Sequence, residues 1–197
     1  MNGKPLSANH GYPVRVVVPG ISGCRSVKWL DRITVQTQES SNFYQQRDYK
    51  ILPPEAMDKH IAEKYWDIAP AIQDMPVNCV IAVPQNGDTV TLSPKGTFEV
   101  EGYALPQGDQ GPVVKVEVST DEGETWKDAE IDGCCKGKGK WCWVLWRLVV
   151  HLKKGDKQRI LSRATDAGGN TQPANPLWNL RGVGYNGYGE SRDLRVR

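Results

Sequence analysis

From residue 77 onward, apolar and β-branched residues recur in short runs, each closed by turn residues. The runs fall at residues 77–83, 89–92, 97–104, 113–119, 126–131, 140–150, 159–166 and 193–196. Between them lie Asn86-Gly87, Pro94-Lys95-Gly96, Asp121-Glu122-Gly123, Lys154-Gly155-Asp156 and Ala167-Gly168-Gly169-Asn170. Seven or eight strands in roughly 120 residues, with turns at this spacing, predict an immunoglobulin-like β-sandwich. Trp141, Trp143 and Trp146 sit in one run and are expected to fill the inter-sheet core. The Cys…Trp…Cys spacing of antibody domains is absent, which argues against that branch.

The first part of the chain follows a different pattern. Residues 14–18 form a β-branched run closed by Pro19-Gly20, predicting a buried strand. Val27, Trp29, Ile33 and Val35 share one parity, as in a strand pair with one face covered. Pro53-Pro54 can open a helix over residues 55–65, with Met57, Ile61, Ala62 and Tyr65 on one face. Residues 66–76 show no period and are read as a linker.

Composition adds limits. The chain has 197 residues and net charge +2, from 25 basic and 23 acidic side chains. So even a balance gives no reason to expect nucleic acid. No apolar run is long enough to span a membrane, and the N-terminus lacks the apolar core of a secretory signal. Five cysteines, an odd number with two adjacent, read as free thiols of a reducing compartment rather than as a zinc site.

Several motifs invite chemistry. Gly182-Val183-Gly184-Tyr185-Asn186-Gly187 fits G-x-G-x-x-G, but no helical period follows it, so it is read as a glycine-rich loop. Lys136-Gly137-Lys138-Gly139-Lys140 reads as a solvated hairpin loop, and Asp121, Glu122 and Glu124 as turn residues. His10, Arg15, Arg25, Lys28, Arg32 and Arg47 are interspersed with strand-like runs, which suits either a pocket for a phosphate- or sulfate-like anion or a mixed-charge surface.

The segment His10-Gly11-Tyr12-Pro13-Val14-Arg15-Val16-Val17-Val18-Pro19-Gly20 and the following Ser26-Val27-Lys28-Trp29-Leu30 resemble the sulfite oxidase and nitrate reductase family of molybdopterin enzymes. Gln46-Arg47-Asp48-Tyr49-Lys50, Gly102-Tyr103-Ala104, Gly123-Glu124-Thr125-Trp126 and Trp178-Asn179-Leu180-Arg181-Gly182 agree in order. The resemblance implies the C-terminal part of an α+β molybdopterin-binding domain at residues 1–70. An immunoglobulin-like dimerisation domain would follow at 71–197, making the protein a homodimer through its sandwich.

It further implies that His10, Arg15, Ser26, Val27 and Lys28 contact the molybdopterin, and that Tyr49 and Arg181 approach the substrate. An arginine at position 181 is the sulfite oxidase pattern, where nitrate reductases usually carry an apolar residue. Pairing of Arg181 with an acidic neighbour such as Asp193 is the structural alternative. The family's molybdenum-ligating cysteine lies upstream of the His-Gly-Tyr-Pro segment, and none of the five cysteines precedes His10. The chain is therefore expected to be part of a larger molybdenum enzyme, with the molybdenum–molybdopterin held by the intact parent rather than by this chain alone. A non-catalytic immunoglobulin-like interaction module is the alternative. By resemblance the compartment is a reducing one or the mitochondrial intermembrane space.

Overall fold

The computed structural model describes residue 1, residues 3–132 and residues 139–197. The chain divides into two units, Met1–Met75 with Leu177–Gly184, and Pro76–Pro176 with Tyr185–Arg197.

The second unit is the sandwich. β1 (Asn78–Val83), β3 (Thr97–Leu105), β7 (Val144–His151) and β6 (Glu130–Ile131) form one sheet in the order β1-β3-β7-β6. β2 (Thr89–Val90), β9 (Gly189–Val196), β8 (Gly155–Asp166), β4 (Val113–Ser119) and β5 (Lys127–Asp128) form the other, in the order β2-β9-β8-β4-β5. All pairs are antiparallel except β2 with β9. Alternate residues of each sheet meet between them: Val100, Ala104, Val144 and Val150 face Val116, Ile160, Ala164 and Leu194 in one continuous core. The strand runs read from the sequence recur here, with residues 126–131 split into two two-residue strands.

The tryptophans divide by parity. Trp146 is buried, whereas Trp143 and Trp141 are 57% and 44% exposed, so only one of the three fills the core. Successive side chains of a strand point to opposite faces, and Val144, Trp146 and Val150 take the inner one. Gly102 makes room for the indole. A Cβ there would lie 2.3 Å from Trp146 Cζ2 and 2.1 Å from the Val80 carbonyl oxygen.

The turn readings hold where they can be checked. Asp121 accepts from the Thr125 amide at 2.9 Å and from Ser119 Oγ at 2.7 Å, fastening its own turn. Asp166 does the same for the 167–170 turn, accepting from the amides of Gln107 and Asn170. The Lys136–Lys140 loop reading, together with Cys134 and Cys135, falls mostly outside the described residues.

The first unit is irregular. The expected helix over residues 55–65 is a single turn, α1 (Lys59–Ala62), whose start is set by Asp58, which caps it by accepting from the Ile61 amide at 2.8 Å. Residues 14–18 are extended but form no strand; Val16 N donates to Val27 O and Leu30 N to Val14 O, both at 2.9 Å. The parity argument for residues 27–35 also fails, with Ile33 and Val35 73% and 95% exposed. β-Propensity registers fit to a half-buried pleated surface, and among the described residues nothing covers these side chains. The stretch read as a linker instead packs: Ala69 joins Leu52, Ala56 and Ala62 in a small core, with Tyr65, Trp66 and Leu180 against it. No helix among the described residues is long and apolar enough to cross a membrane.

Candidate functional site

Of the cationic residues of the first unit, Arg15 and Lys28 lie against Gly11, which is buried and has φ +104, whereas Arg25 bonds the Ile72 carbonyl and Arg47 pairs with Glu63. A Cβ at Gly11 would lie 3.0 Å from Lys28 Cβ and 3.2 Å from Arg15 Cβ, so glycine lets the 8–11 turn rest on both. Arg15 donates through Nη1 to His10 O and through Nη2 to Ser26 O, each at 3.1 Å. Its Nε is buried without a hydrogen-bond partner. Lys28 Nζ donates to Asn9 O at 3.0 Å and lies 4.6 Å from the Trp29 ring centroid. Ser26 Oγ accepts from Val18 N at 3.1 Å, and His10 Nδ1 lies 2.6 Å from Ser7 Oγ. Neither Arg15 nor Lys28 has a carboxylate partner among the described residues. An orphaned guanidinium donor, with a second cation beside it and no carboxylate on either, fits an anionic oxygen group such as a phosphate. It does not fit a metal, and among the described residues no three His, Cys, Asp or Glu side chains converge.

A second cluster forms on residues 47–50. Tyr44–Asp48 is one π-helical turn, closed by Tyr49 N to Tyr44 O at 3.2 Å. Arg181 comes from the distant 177–184 segment, which packs within this same unit. Its Nη2 donates to Asp48 Oδ1 at 2.9 Å, and its Nη1 donates to the carbonyls of Arg47 and Asp48. Two guanidinium groups lie near the Trp66 ring, Arg47 Cζ at 5.7 Å and Arg181 Cζ at 5.8 Å from its centroid. Buried Lys50 donates to the Trp66 carbonyl at 2.6 Å and anchors that indole's backbone. The carboxylate partner of Arg181 is thus Asp48, not Asp193.

The residues singled out in the sequence occupy three places. His10, Arg15, Ser26 and Lys28 form the cationic cluster described above. Val27, whose carbonyl also serves the backbone pairing, lines a cavity of about 690 Å³ together with Tyr49, Arg25 and Cys24. Arg181 lines another, of about 580 Å³, with Arg47, Asp48, Lys59 and Trp66. Tyr49 is not part of that second lining, although it directly follows Asp48. Sequence reasoning missed Trp66, whose only signal was a large aromatic in an aperiodic stretch. The glycine-rich stretch at 182–187 leads into β9 and no helix, as read.

Residues 69–191 match the family described as the Mo-co oxidoreductase dimerisation domain, and residues 1–44 the oxidoreductase molybdopterin binding domain. Mitochondrial sulfite oxidase of Homo sapiens is 44% identical over 93% of this chain and 33% of its own length. Sulfite oxidase of Gallus gallus is 44% identical over 93% of this chain and 39% of its length. Nitrate reductase [NADH] 2 of Phaseolus vulgaris is 38% identical over 92% and 21%. The chain thus spans about a third of the length of the mitochondrial sulfite oxidases it matches. The crystal structure of the sulfane dehydrogenase SoxCD from Paracoccus pantotrophus superposes with a TM-score of 0.72 at 26% identity, covering 95% of this chain and 45% of that one.

Proposed function

This chain belongs to the family of molybdenum-cofactor oxidoreductases that includes sulfite oxidases and nitrate reductases, and from that premise we propose that it serves an enzyme converting sulfite to sulfate. In this reading residues 1–70 are cofactor domain and residues 71–197 dimerisation domain, with 177–184 lent back to the first. The protein acts as a homodimer through its sandwich.

The observation that supports a sulfite site is the capture of Arg181 by residues 47–48, immediately before Tyr49. Sulfite is a small dianion, and each charge-assisted bond from a guanidinium contributes about 1.5–3 kcal/mol. Asp48 orients the guanidinium through one N–H and leaves others for substrate oxygens. Tyr49 follows Asp48 in the chain and lines a separate cavity; its hydroxyl is the proposed second donor to a substrate oxygen. His10, Arg15, Ser26, Lys28 and the Val27 backbone hold the phosphate end of the pterin, where the unpartnered Arg15 Nε would find an acceptor. When bound, the cofactor supplies the two-electron, oxygen-transferring centre.

The test is Arg181→Met in the holoenzyme that carries this chain. The expected result is a fall in kcat/KM for sulfite of about tenfold to more than a hundredfold, with little change in Tm. Unchanged kcat and KM would remove Arg181 from the substrate site. Turnover of nitrate with no turnover of sulfite would move the chain to the family's nitrate reductase branch.

A further inference from the structure

We infer that Trp66 is a positioning residue for the sulfite site, its indole holding the Arg181 guanidinium in the orientation that receives the substrate dianion. The inference rests on the reading of Arg181 as a substrate residue and names a group that acts through it. The hydrogen bonds of Arg181 leave one freedom open. Nη1 and Nη2 reach Asp48 and the Arg47 carbonyl, and such bonds lie in the plane of the guanidinium. They hold it along one side, and the side chain is partly open to solvent. Rocking about that side redirects the N–H groups left for substrate.

A ring set over the face removes this freedom without taking any N–H, because a cation is drawn to the π face while its donors stay in plane. Arg181 Cζ lies over the Trp66 ring at 5.8 Å from its centroid, inside the roughly 6 Å reach of that attraction. Arg47, bonded to Glu63 at 3.3 Å, lies over the same ring at 5.7 Å. One indole thus serves two guanidinium groups, each already paired with its own carboxylate. Together they line the cavity of about 580 Å³, where Lys59 adds a third cation with no carboxylate partner among the described residues. An excess of positive charge suits a dianion.

Both ends of the contact are fixed independently. The Trp66 carbonyl accepts from buried Lys50, and Ala69 N closes the turn onto Tyr65 O at 2.8 Å. Asn179 fastens the turn that presents Arg181, accepting from Val183 N at 3.0 Å and donating to Val183 O at 2.9 Å. Leu180 and Trp66 pack against the same small core. Without the ring, the guanidinium samples orientations that do not receive substrate, and the apparent dissociation constant rises as the competent fraction falls. Bound sulfite re-seats the guanidinium, so turnover at saturation is spared.

The test is Trp66→Leu and Trp66→Phe in the holoenzyme that carries this chain, alone and combined with Arg181→Met, with rates referred to cofactor content. Trp66→Leu should raise KM for sulfite, and the dissociation constant of sulfate measured without turnover, by about threefold to thirtyfold, the range of one cation–π contact. Its kcat should stay within about twofold of wild type. Trp66→Phe keeps a π face and should recover most of the loss. In the Arg181→Met background, Trp66→Leu should change kcat/KM less than about twofold, because the group it positions is gone. An equal effect with and without Arg181, a fall in kcat at unchanged KM, or a Trp66→Phe enzyme no better than Trp66→Leu overturns the inference and leaves Arg181 at the substrate. Wild-type kinetics in Arg181→Met overturns the substrate reading, and the inference with it. Should Trp66→Leu melt below the wild type, Trp66→Met, unbranched and without a ring, replaces it under the same criteria.

Discussion

Arg181 and Asp48, 133 residues apart, form an ion pair of 2.9 Å between groups that are each partly open to solvent. This pair draws the 177–184 segment onto residues 47–48 within the first unit. The guanidinium is thereby oriented but not sealed off.

A partly exposed pair is worth at most about 1 kcal/mol to stability. In a double-mutant cycle of Arg181→Met and Asp48→Asn, the coupling read from urea unfolding should therefore stay near or below about 1 kcal/mol. A coupling above about 3 kcal/mol, the range of buried pairs, would make Arg181 a structural residue and weaken its assignment to substrate.

Gly102 offers a sharper stability test. Its absent side chain is what allows Trp146 and the β1 backbone to approach β3 so closely. A methyl group cannot be accommodated by moving a flexible tip, because one of its contacts is the Val80 carbonyl oxygen. Gly102→Ala should destabilise the sandwich by about 3 kcal/mol or more, beyond the usual cost of overpacking. A loss below about 1 kcal/mol in chemical denaturation would show that the indole shifts freely.

The sandwich was legible in the sequence because both causes of its strands are local: period-two alternation and turn chemistry. Asp121 fastens the turn its position announced, and Asp166, at the end of a strand run, fastens the 167–170 turn that follows it. Burial was less legible. Trp143 and Trp146 differ only by parity, and a dense aromatic run hides which parity faces inward. In the first unit the same β-branched signal misled, since residues 14–18 meet residues 26–30 through only a few bonds with Val14 and Val17 exposed, and Val35 stands almost fully exposed. The candidate site was half legible. Arg181 and Tyr49 came from motif resemblance, but that Asp48 and Trp66 hold Arg181 depends on contacts across more than a hundred residues, which no local pattern encodes.

Asp121 predicts a pH dependence. Hydrogen bonds from the Thr125 side chain and amide, and then from Ser119, hold its carboxyl down to about 2 from the usual 3.8. A carboxylate more acidic in the folded state stabilises the fold above its unfolded pKa, and that contribution is lost as pH falls through the folded value. The stability gap between wild type and Asp121→Asn should thus be constant above about pH 5 and close progressively toward about pH 2. Urea midpoints across this range measure it. A gap that persists undiminished at pH 2 would mean that the asparagine fails for steric reasons instead.

The two units should also differ in how they open. The backbone N–H groups of residues 31–39 donate to no acceptor among the described residues, and all these residues are exposed. Residues 14–18 are held to residues 26–30 by a few bonds, such as Val16 N to Val27 O, with no apolar layer above. By contrast, β3 and β8 are interior strands of their sheets and contribute Val100, Ala104, Ile160 and Ala164 to the core. Local opening costs range from near zero for unbonded segments up to the global stability for core strands. Hydrogen exchange on this chain should therefore find residues 31–39 close to unprotected. The hydrogen-bonded amides of β3 and β8 should be protected by a factor of at least about 10³, as expected for a domain of 5 kcal/mol or more. Residues 14–18 should fall between these limits. Equal protection across the three segments would mean that residues 14–39 are covered, by their own rearrangement or by a second copy, and would remove the distinction between an irregular first unit and a self-sufficient sandwich.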